Sequence, residues 1–223
     1  FTATLLGLKP ATDHDYRLRV LHQGEVLRSD THTVTTGPAP QDLPEISVAW
    51  LQPDEARGGY FATQLISVPS AAVILDADGD YVWWYRGDGE GGPLVHRVLQ
   101  SNTGREMLFQ GSVPGNGIDG SPLLEIQRTS MDGEQTRYLS HNPDDHHDFV
   151  ELPDGTLAVL RSDYLEVDGQ FVCGDRITEI RTDGTELEVW SLWDHVAYDP
   201  DFPTDPEIGW SHANAIDHDP IED

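Results

Sequence analysis

Residues 145–160 read DHHDFVELPDGTLAVL: two adjacent histidines between aspartates, then an alternating stretch, a Leu-Pro-Asp-Gly turn and an apolar run. Alternation interrupted by an Asp-Gly turn marks an antiparallel hairpin. Packing such a hairpin does not call for imidazoles at its start, whereas a site that needs nucleophiles or proton carriers near neutral pH does.

The same arrangement recurs along the chain. Residues 95–109, VHRVLQSNTGREMLF, align with 146–160 so that His96 matches His147 and Gly104 matches Gly155, both 51 residues apart. The Asp-Gly turns at Asp78-Gly79, Asp132-Gly133 and Asp183-Gly184 are offset by 54 and 51 residues. A third histidine copy stands in WSHANAIDHDP, where His212 follows His147 by 65 residues, the period of 51 plus an insertion of fourteen placed in YDPDFPTDPEIGW. Short strands and tight turns at a period of about 40 to 50 residues predict an all-β chain built as a β-propeller, a ring of four-stranded blades. About three blades fit, fewer than the roughly four to eight that close a ring. The expectation is therefore a partial propeller in a segment cut from a longer protein. In a propeller, a residue just before the innermost strand of each blade faces the mouth of the central channel, which would bring His96, His147 and His212 together.

The beginning of the chain has a different character. TATLLGLKPATDHDYRLRVLHQGEVLRSDTHTVTTG alternates in short runs, and its Gly7–Pro10 turn before a strand bearing Tyr16, Leu18 and Val20 resembles the second half of a fibronectin type III domain. The expected organisation is residues 1–36 as part of that sandwich, a proline-rich linker over 37–46, and the propeller portion over 47–223. The opening FTATLLGLKP carries no signal-peptide pattern.

Composition narrows the function classes. Forty Asp and Glu against thirteen Lys and Arg give a net charge of -27, which repels nucleic acid and anionic membranes, so neither is expected as a partner. No stretch is long enough to insert into a bilayer. Only Lys9 among the basic residues is a lysine. This suits either a surface adapted to high salt, where screening removes self-repulsion, or an acidic secreted protein. The single Cys173 rules out an internal disulfide framework and a multi-cysteine zinc site.

A lone histidine at a strand start is ordinarily a surface or hydrogen-bonded residue; recurrence at one repeat position is what singles out His96, His147 and His212. His146 reads either as a further substrate contact or as the outward neighbour of His147, since successive strand side chains alternate. An anionic substrate would need a locally positive mouth, and Arg97, beside His96, and Arg161, at the end of the His147 hairpin, are the nearest arginines in sequence. The Asp76-Ala-Asp-Gly-Asp80 run reads as a hairpin turn rather than a calcium loop, because its glycine is fourth and not sixth.

HHDFVELPDGTLAVL, GDRITEIRTDGTELEVWSLWDH and WSHANAIDHDP, in that order, resemble the arylsulfotransferase family, in which an HHD-type strand, a G-D-x-I-x-E strand leading to an Asp-Gly hairpin, and a W-x-H-x-N segment recur. The resemblance implies a six-bladed propeller outside the cytoplasm that moves a sulfuryl group from an aryl sulfate donor to a phenolic acceptor through a sulfated histidine, with no cofactor or nucleotide sulfate. It assigns His147 and His212 as nucleophile and acid or base, and Asn214 as an oxyanion or positioning contact; the repeat and charge arguments add His96, Arg97, His146 and Arg161 as expected substrate contacts. Two other classes stay open on the residues alone: a non-catalytic propeller that binds carbohydrate or protein, and a metal-dependent hydrolase or lyase, since three imidazoles with carboxylates nearby also suit zinc.

Overall fold

A computed structural model describes residues 4–49, 59–66, 70–86, 94–113, 123–202, 209–219 and 221. The chain divides into two compact units, Phe1–Thr63 with Val73–Tyr85, and Gln64–Ala72 with Arg86–Asp223. Among the described residues every regular element is a strand, apart from one three-residue 3-10 turn, Leu192–Asp194. None of them forms a helix long and apolar enough to cross a membrane.

In the first unit β1 (Asp13–Tyr16) pairs with β4 (His32–Thr35), and β2 (Arg19–His22) pairs with β3 (Glu25–Arg28), each pair an isolated two-stranded ladder. These ladders lend no support to a fibronectin-like sandwich. Residues of the proline-rich stretch pack within the unit: Leu43 is buried, and the Tyr81 hydroxyl donates to the Pro44 carbonyl at 2.7 Å. Strands β5 (Phe61–Leu65), β6 (Ala71–Leu75) and β7 (Tyr81–Tyr85) form a three-stranded sheet in chain order. The turn between β6 and β7 is the Asp-rich run, and it is a hairpin as expected. Asp76 Oδ1 accepts the backbone N–H groups of Asp78 and Asp80, while Lys9 Nζ lies 3.1, 2.7 and 2.7 Å from Asp76, Asp78 and Asp80. The three carboxylates hold the Lys9 ammonium above its ordinary pKa.

The second unit carries two four-stranded antiparallel meanders. One runs β8 (Leu94–Gln100), β9 (Glu106–Val113), β10 (Leu123–Ser130) and β11 (Thr136–Ser140). The other runs β12 (Asp145–Glu151), β13 (Leu157–Val167), β14 (Gln170–Ile180) and β15 (Glu186–Ser191). The β8–β9, β10–β11, β12–β13 and β14–β15 connections are the turns that mark the sequence repeat. Gly104, Gly133, Gly155 and Gly184 all have positive φ, between 68° and 87°, a conformation that glycine adopts without steric cost. Apolar side chains at alternate positions turn inward and form one core: Leu108 and Ile126 from the first meander, Phe149, Leu157, Val159 and Ile180 from the second. Polar ties join the sheets as well. The Asn102 backbone N–H donates to Glu151 Oε2 at 2.6 Å, its side chain donates to the Leu152 carbonyl at 2.7 Å, and Arg128 Nη2 donates to Glu151 Oε1 at 2.6 Å.

One buried ion pair pins the second meander. Arg161, only 2% exposed, sits across the ladder from Asp145, only 1% exposed, and its Nε donates to Asp145 Oδ1 at 2.6 Å. Its remaining nitrogens donate to Glu186 at 2.6 and 3.0 Å and to Ser140 at 3.3 Å, and Ser140 donates to Asp145 Oδ2. Burial raises the Asp145 carboxyl above the ordinary range, with Ser140 and Arg161 pulling it back down. Removing one partner of a buried pair leaves an uncompensated charge, which costs about 3–5 kcal/mol. Arg161→Ala is therefore expected to lower unfolding free energy by about that amount in urea titrations, and Asp145→Leu with Arg161→Met to recover most of it. A single-substitution loss under about 1 kcal/mol, the size of an exposed pair, would contradict this account.

Candidate functional site

The first strand of each meander carries a break in its ladder, and the histidines sit in the breaks. On β8, Val95 pairs with Gly111 and Arg97 with Gln110, so His96 is an extra residue without an opposite partner. On β12, Asp145 pairs with Arg161 and Phe149 with Val159, so four steps along β12 match two along β13. Bulges of this kind re-aim side chains. His147 lies at the centre of the larger one with φ of 54°, a region that non-glycine residues occupy only when surrounding structure holds them there. The flanking anchors are Asp145, fixed by Arg161, and Phe149, fully buried in the core.

The bulge brings three imidazoles together. His147 Nε2 stands 2.6 Å from His212 Nε2, although 65 residues separate them. The two rings meet edge to face with centroids 4.5 Å apart. His146 stacks nearly parallel on His212, at 5.7 Å and 10°, and meets His147 edge-on at 5.4 Å. An Nε2 to Nε2 hydrogen bond holds one proton between two nitrogens, so one ring donates and the other accepts.

Two buried carboxylates lie behind the rings. Asp175 on β14, 4% exposed, has Oδ1 at 3.1 Å from His146 Nε2, and its Oδ2 accepts from Ser211 Oγ at 2.5 Å and from the Ala213 backbone N–H at 3.0 Å. Asp148, 6% exposed, has Oδ1 at 2.7 Å from Arg97 Nε, and its Oδ2 accepts the Ile216 backbone N–H at 3.2 Å. Gly174, just before Asp175, is needed for packing: a Cβ there would approach Trp193 Cζ2 to 2.6 Å. Beside His212 opens a cavity of about 430 Å³ with largely apolar walls, among them Leu160, Ile177, Trp190, Leu192 and Ile216.

The expected site residues fall into three groups. His146, His147 and His212 form the cluster. His146 is no plain outward neighbour, because the bulge breaks the strand alternation between it and His147. His96 is exposed, its Nε2 3.2 Å from Ser112 Oγ, and close enough that its charge bears on His147. Arg97 joins the site through Asp148, and Asn214 is exposed, its side-chain N–H donating to the His212 carbonyl at 3.2 Å. Arg161 stands with the buried ion network, its three nitrogens engaged by Asp145, Glu186 and Ser140. Asp148 and Asp175 were not singled out from sequence. Both stood in view, as the third letter of HHD and the second of GDRITEI, but hydrogen bonding across 36 and 68 residues leaves no local trace. Among the described residues, the acidic or imidazole groups spaced to hold a metal ion are Asp76, Asp78 and Asp80, not the histidines.

Comparison with known proteins adds one finding: the family model described as Arylsulfotransferase (ASST) matches residues 52–223. Neither the curated proteins nor the solved structures yield a match.

The cluster sets its own proton affinity. Burial, and then the neighbouring His212, His146 and His96, hold the His147 imidazole below its ordinary value of 6.5, with Asp175 opposing weakly. Burial lowers His96 as well. As pH falls below 6.5 the unfolded chain therefore takes up protons before these two folded imidazoles do, and stability falls with pH through their folded midpoints. An NMR titration of His147 is expected to have its midpoint under 6.5, and His212→Ala, by removing a repelling neighbour, to move it upward. A midpoint at or above 6.5, or no upward move, would contradict the electrostatic reading.

Proposed function

The chain belongs to the arylsulfotransferase (ASST) family, and from that premise we propose that its histidine pair carries a sulfuryl group from an aryl sulfate ester to a phenolic acceptor. The observation that carries the reading is the 2.6 Å approach of His147 Nε2 to His212 Nε2. Two imidazoles that share one proton provide a lone pair and an acid at the same place, the two components such a transfer requires.

In this reading His147, whose imidazole is held below its ordinary value by burial and by its imidazole neighbours, is the nucleophile and His212 the proton donor. The sulfate ester enters between the rings and replaces their mutual hydrogen bond. The neutral His147 Nε2 lone pair forms an N–S bond as the S–O bond to the aryl group breaks, and the departing phenolate oxygen takes its proton from His212. In the second half the neutral His212 accepts the proton of an incoming phenol, whose oxygen bonds to sulfur as the N–S bond breaks. His147 returns with its lone pair and His212 with its proton. His96 and Asn214 face the transferring oxygens, and Arg97, backed by Asp148, supplies positive charge near an anionic ester in a chain of net charge -27. The apolar cavity beside His212 suits an aryl group.

The two meanders, joined through a common core and each opening on a bulged histidine strand, support reading them as neighbouring blades of a six-bladed propeller. An extracytoplasmic location belongs to the same proposal, as does reading residues 1–36 as a fibronectin-like module with 37–46 as its linker, which rests on the alternating sequence alone.

Incubation of the full-length enzyme with a chromogenic aryl sulfate and no acceptor is expected to release a burst of about one equivalent of phenol per site, the mark of an accumulating covalent intermediate. Mass spectrometry then finds the sulfuryl group on His147, and added phenol discharges it. His147→Ala abolishes the burst, and His212→Ala slows it by roughly two to four orders of magnitude. Turnover without a burst, lost to a chelator and restored by metal, would replace this mechanism with a metal-dependent one. Full function after both substitutions would mark a binding module.

A further inference from the structure

Asp175 holds more of the site in register than any residue expected from sequence. One of its oxygens, Oδ2, accepts from Ser211 and from the Ala213 backbone, so both neighbours of His212 end on a single atom. The other, Oδ1, faces His146 Nε2 at 3.1 Å, and the His146 ring stacks on the His212 ring. His212 is therefore constrained from three directions, through the Ser211 hydroxyl before it, the Ala213 backbone after it and the His146 ring across from it, and all three constraints end on one carboxylate. Burial favours the neutral acid, but hydrogen bonds from His146, Ser211 and Ala213 override it and hold Asp175 below the usual carboxylate range. An ionised carboxylate only accepts hydrogen bonds, so the nitrogen of His146 facing it carries the proton. His146 Nδ1 is buried without a hydrogen-bond partner among the described residues.

We propose that Asp175 is the positioning residue of the histidine pair: its carboxylate fixes His146 in the Nε2–H form and clamps Ser211 and Ala213, so that His212 Nε2 is presented to His147 Nε2. His146 thereby becomes a supporting arm of the site and not a nucleophile. The proposal rests on the sulfuryl-transfer reading for its effect on rate but not for its geometry. The groups whose charge bears on His147 are His96 from β8, His146 from its own strand, His212 from the 211–216 segment and Asp175 from β14.

The test uses Asp175→Asn, which keeps the shape and can still accept from Ser211 and Ala213 but offers an N–H to His146. Long-range 15N–1H NMR correlations of the imidazoles should find His146 as the Nε2–H tautomer in the parent protein and as Nδ1–H in the variant. The His147 titration midpoint should fall in the variant, because an opposing negative charge is gone. On the full-length enzyme kcat should drop about 100-fold, the loss that follows a misplacement of about 1 Å, with KM nearly unchanged and the acidic limb of the rate profile moved to lower pH. Asp175→Glu should restore the His146 tautomer more than the rate. A parent protein with His146 in the Nδ1–H form, or a variant with unchanged tautomer and unchanged His147 midpoint, would overturn the proposal whatever the activity. Absence of a phenol burst in the parent enzyme, with the tautomers as expected, would instead refute sulfuryl transfer and leave the positioning role standing.

Discussion

The Arg161–Asp145 pair is the constraint on which the arrangement of the site depends. A bulge of two extra residues would slip along its strand unless both ends were fixed, and a one-residue slip flips every following side chain to the other face. Asp145 provides one fixed end through a fully buried ion pair and Phe149 the other through the core. Between them the chain must absorb its surplus length, and it does so with His147 in a left-handed conformation. Strain of this size, on the order of 1–3 kcal/mol, persists only where the surroundings over-determine it. Here an ion network on one side and apolar packing on the other do so.

The second requirement is to bring a residue 65 positions away to the same point. The segment 210–216 is bound chiefly through its backbone: the Trp210 N–H to the Cys173 carbonyl at 2.7 Å, Ala213 N–H to Asp175 and Ile216 N–H to Asp148. Backbone anchoring of this kind fixes the path of the chain independently of side-chain identity, and His212 and Asn214 are exposed. The acceptors are buried carboxylates, whose charge-assisted hydrogen bonds are shorter and stronger than neutral ones. A chain with forty acidic residues thus uses two of them as internal fasteners.

Much of this was legible in the sequence, and what was not has a common physical cause. The Asp-Gly turns, the hairpins between them and the match of His96 to His147 are local or periodic features, and the structure returns them as positive-φ glycines and as bulges at equivalent points of β8 and β12. The contact of His147 with His212 was reached through the repeat phase. Arg161 was expected near a substrate because it is one of the arginines nearest to the histidines in sequence, but its partner lies directly across a ladder whose register the sequence does not state. Strand alternation assigned His146 and His147 to opposite faces, and the bulge annulled that rule where it mattered. Asp148 and Asp175 were hidden because their role consists of accepting backbone N–H groups from a distant segment, which no residue type announces.

The proton of the histidine pair ties these features to the chemistry. Two imidazoles in hydrogen-bonding contact titrate as a unit, so the acid and base limbs of any rate profile belong to the pair and not to one ring. Nearby imidazoles push the pair towards the singly protonated state, since a second proton would place like charges 2.6 Å apart. Asp175, held ionised behind His146, acts weakly in the opposite direction. His147 thus meets repulsion from the imidazoles at the front and a weaker attraction from the fixed negative charge at the back, while one proton is shared with His212 across 2.6 Å. That is the state in which one ring can attack while the other protonates a leaving oxygen, and it follows from where the bulge and the carboxylates lie rather than from any unusual property of a single histidine.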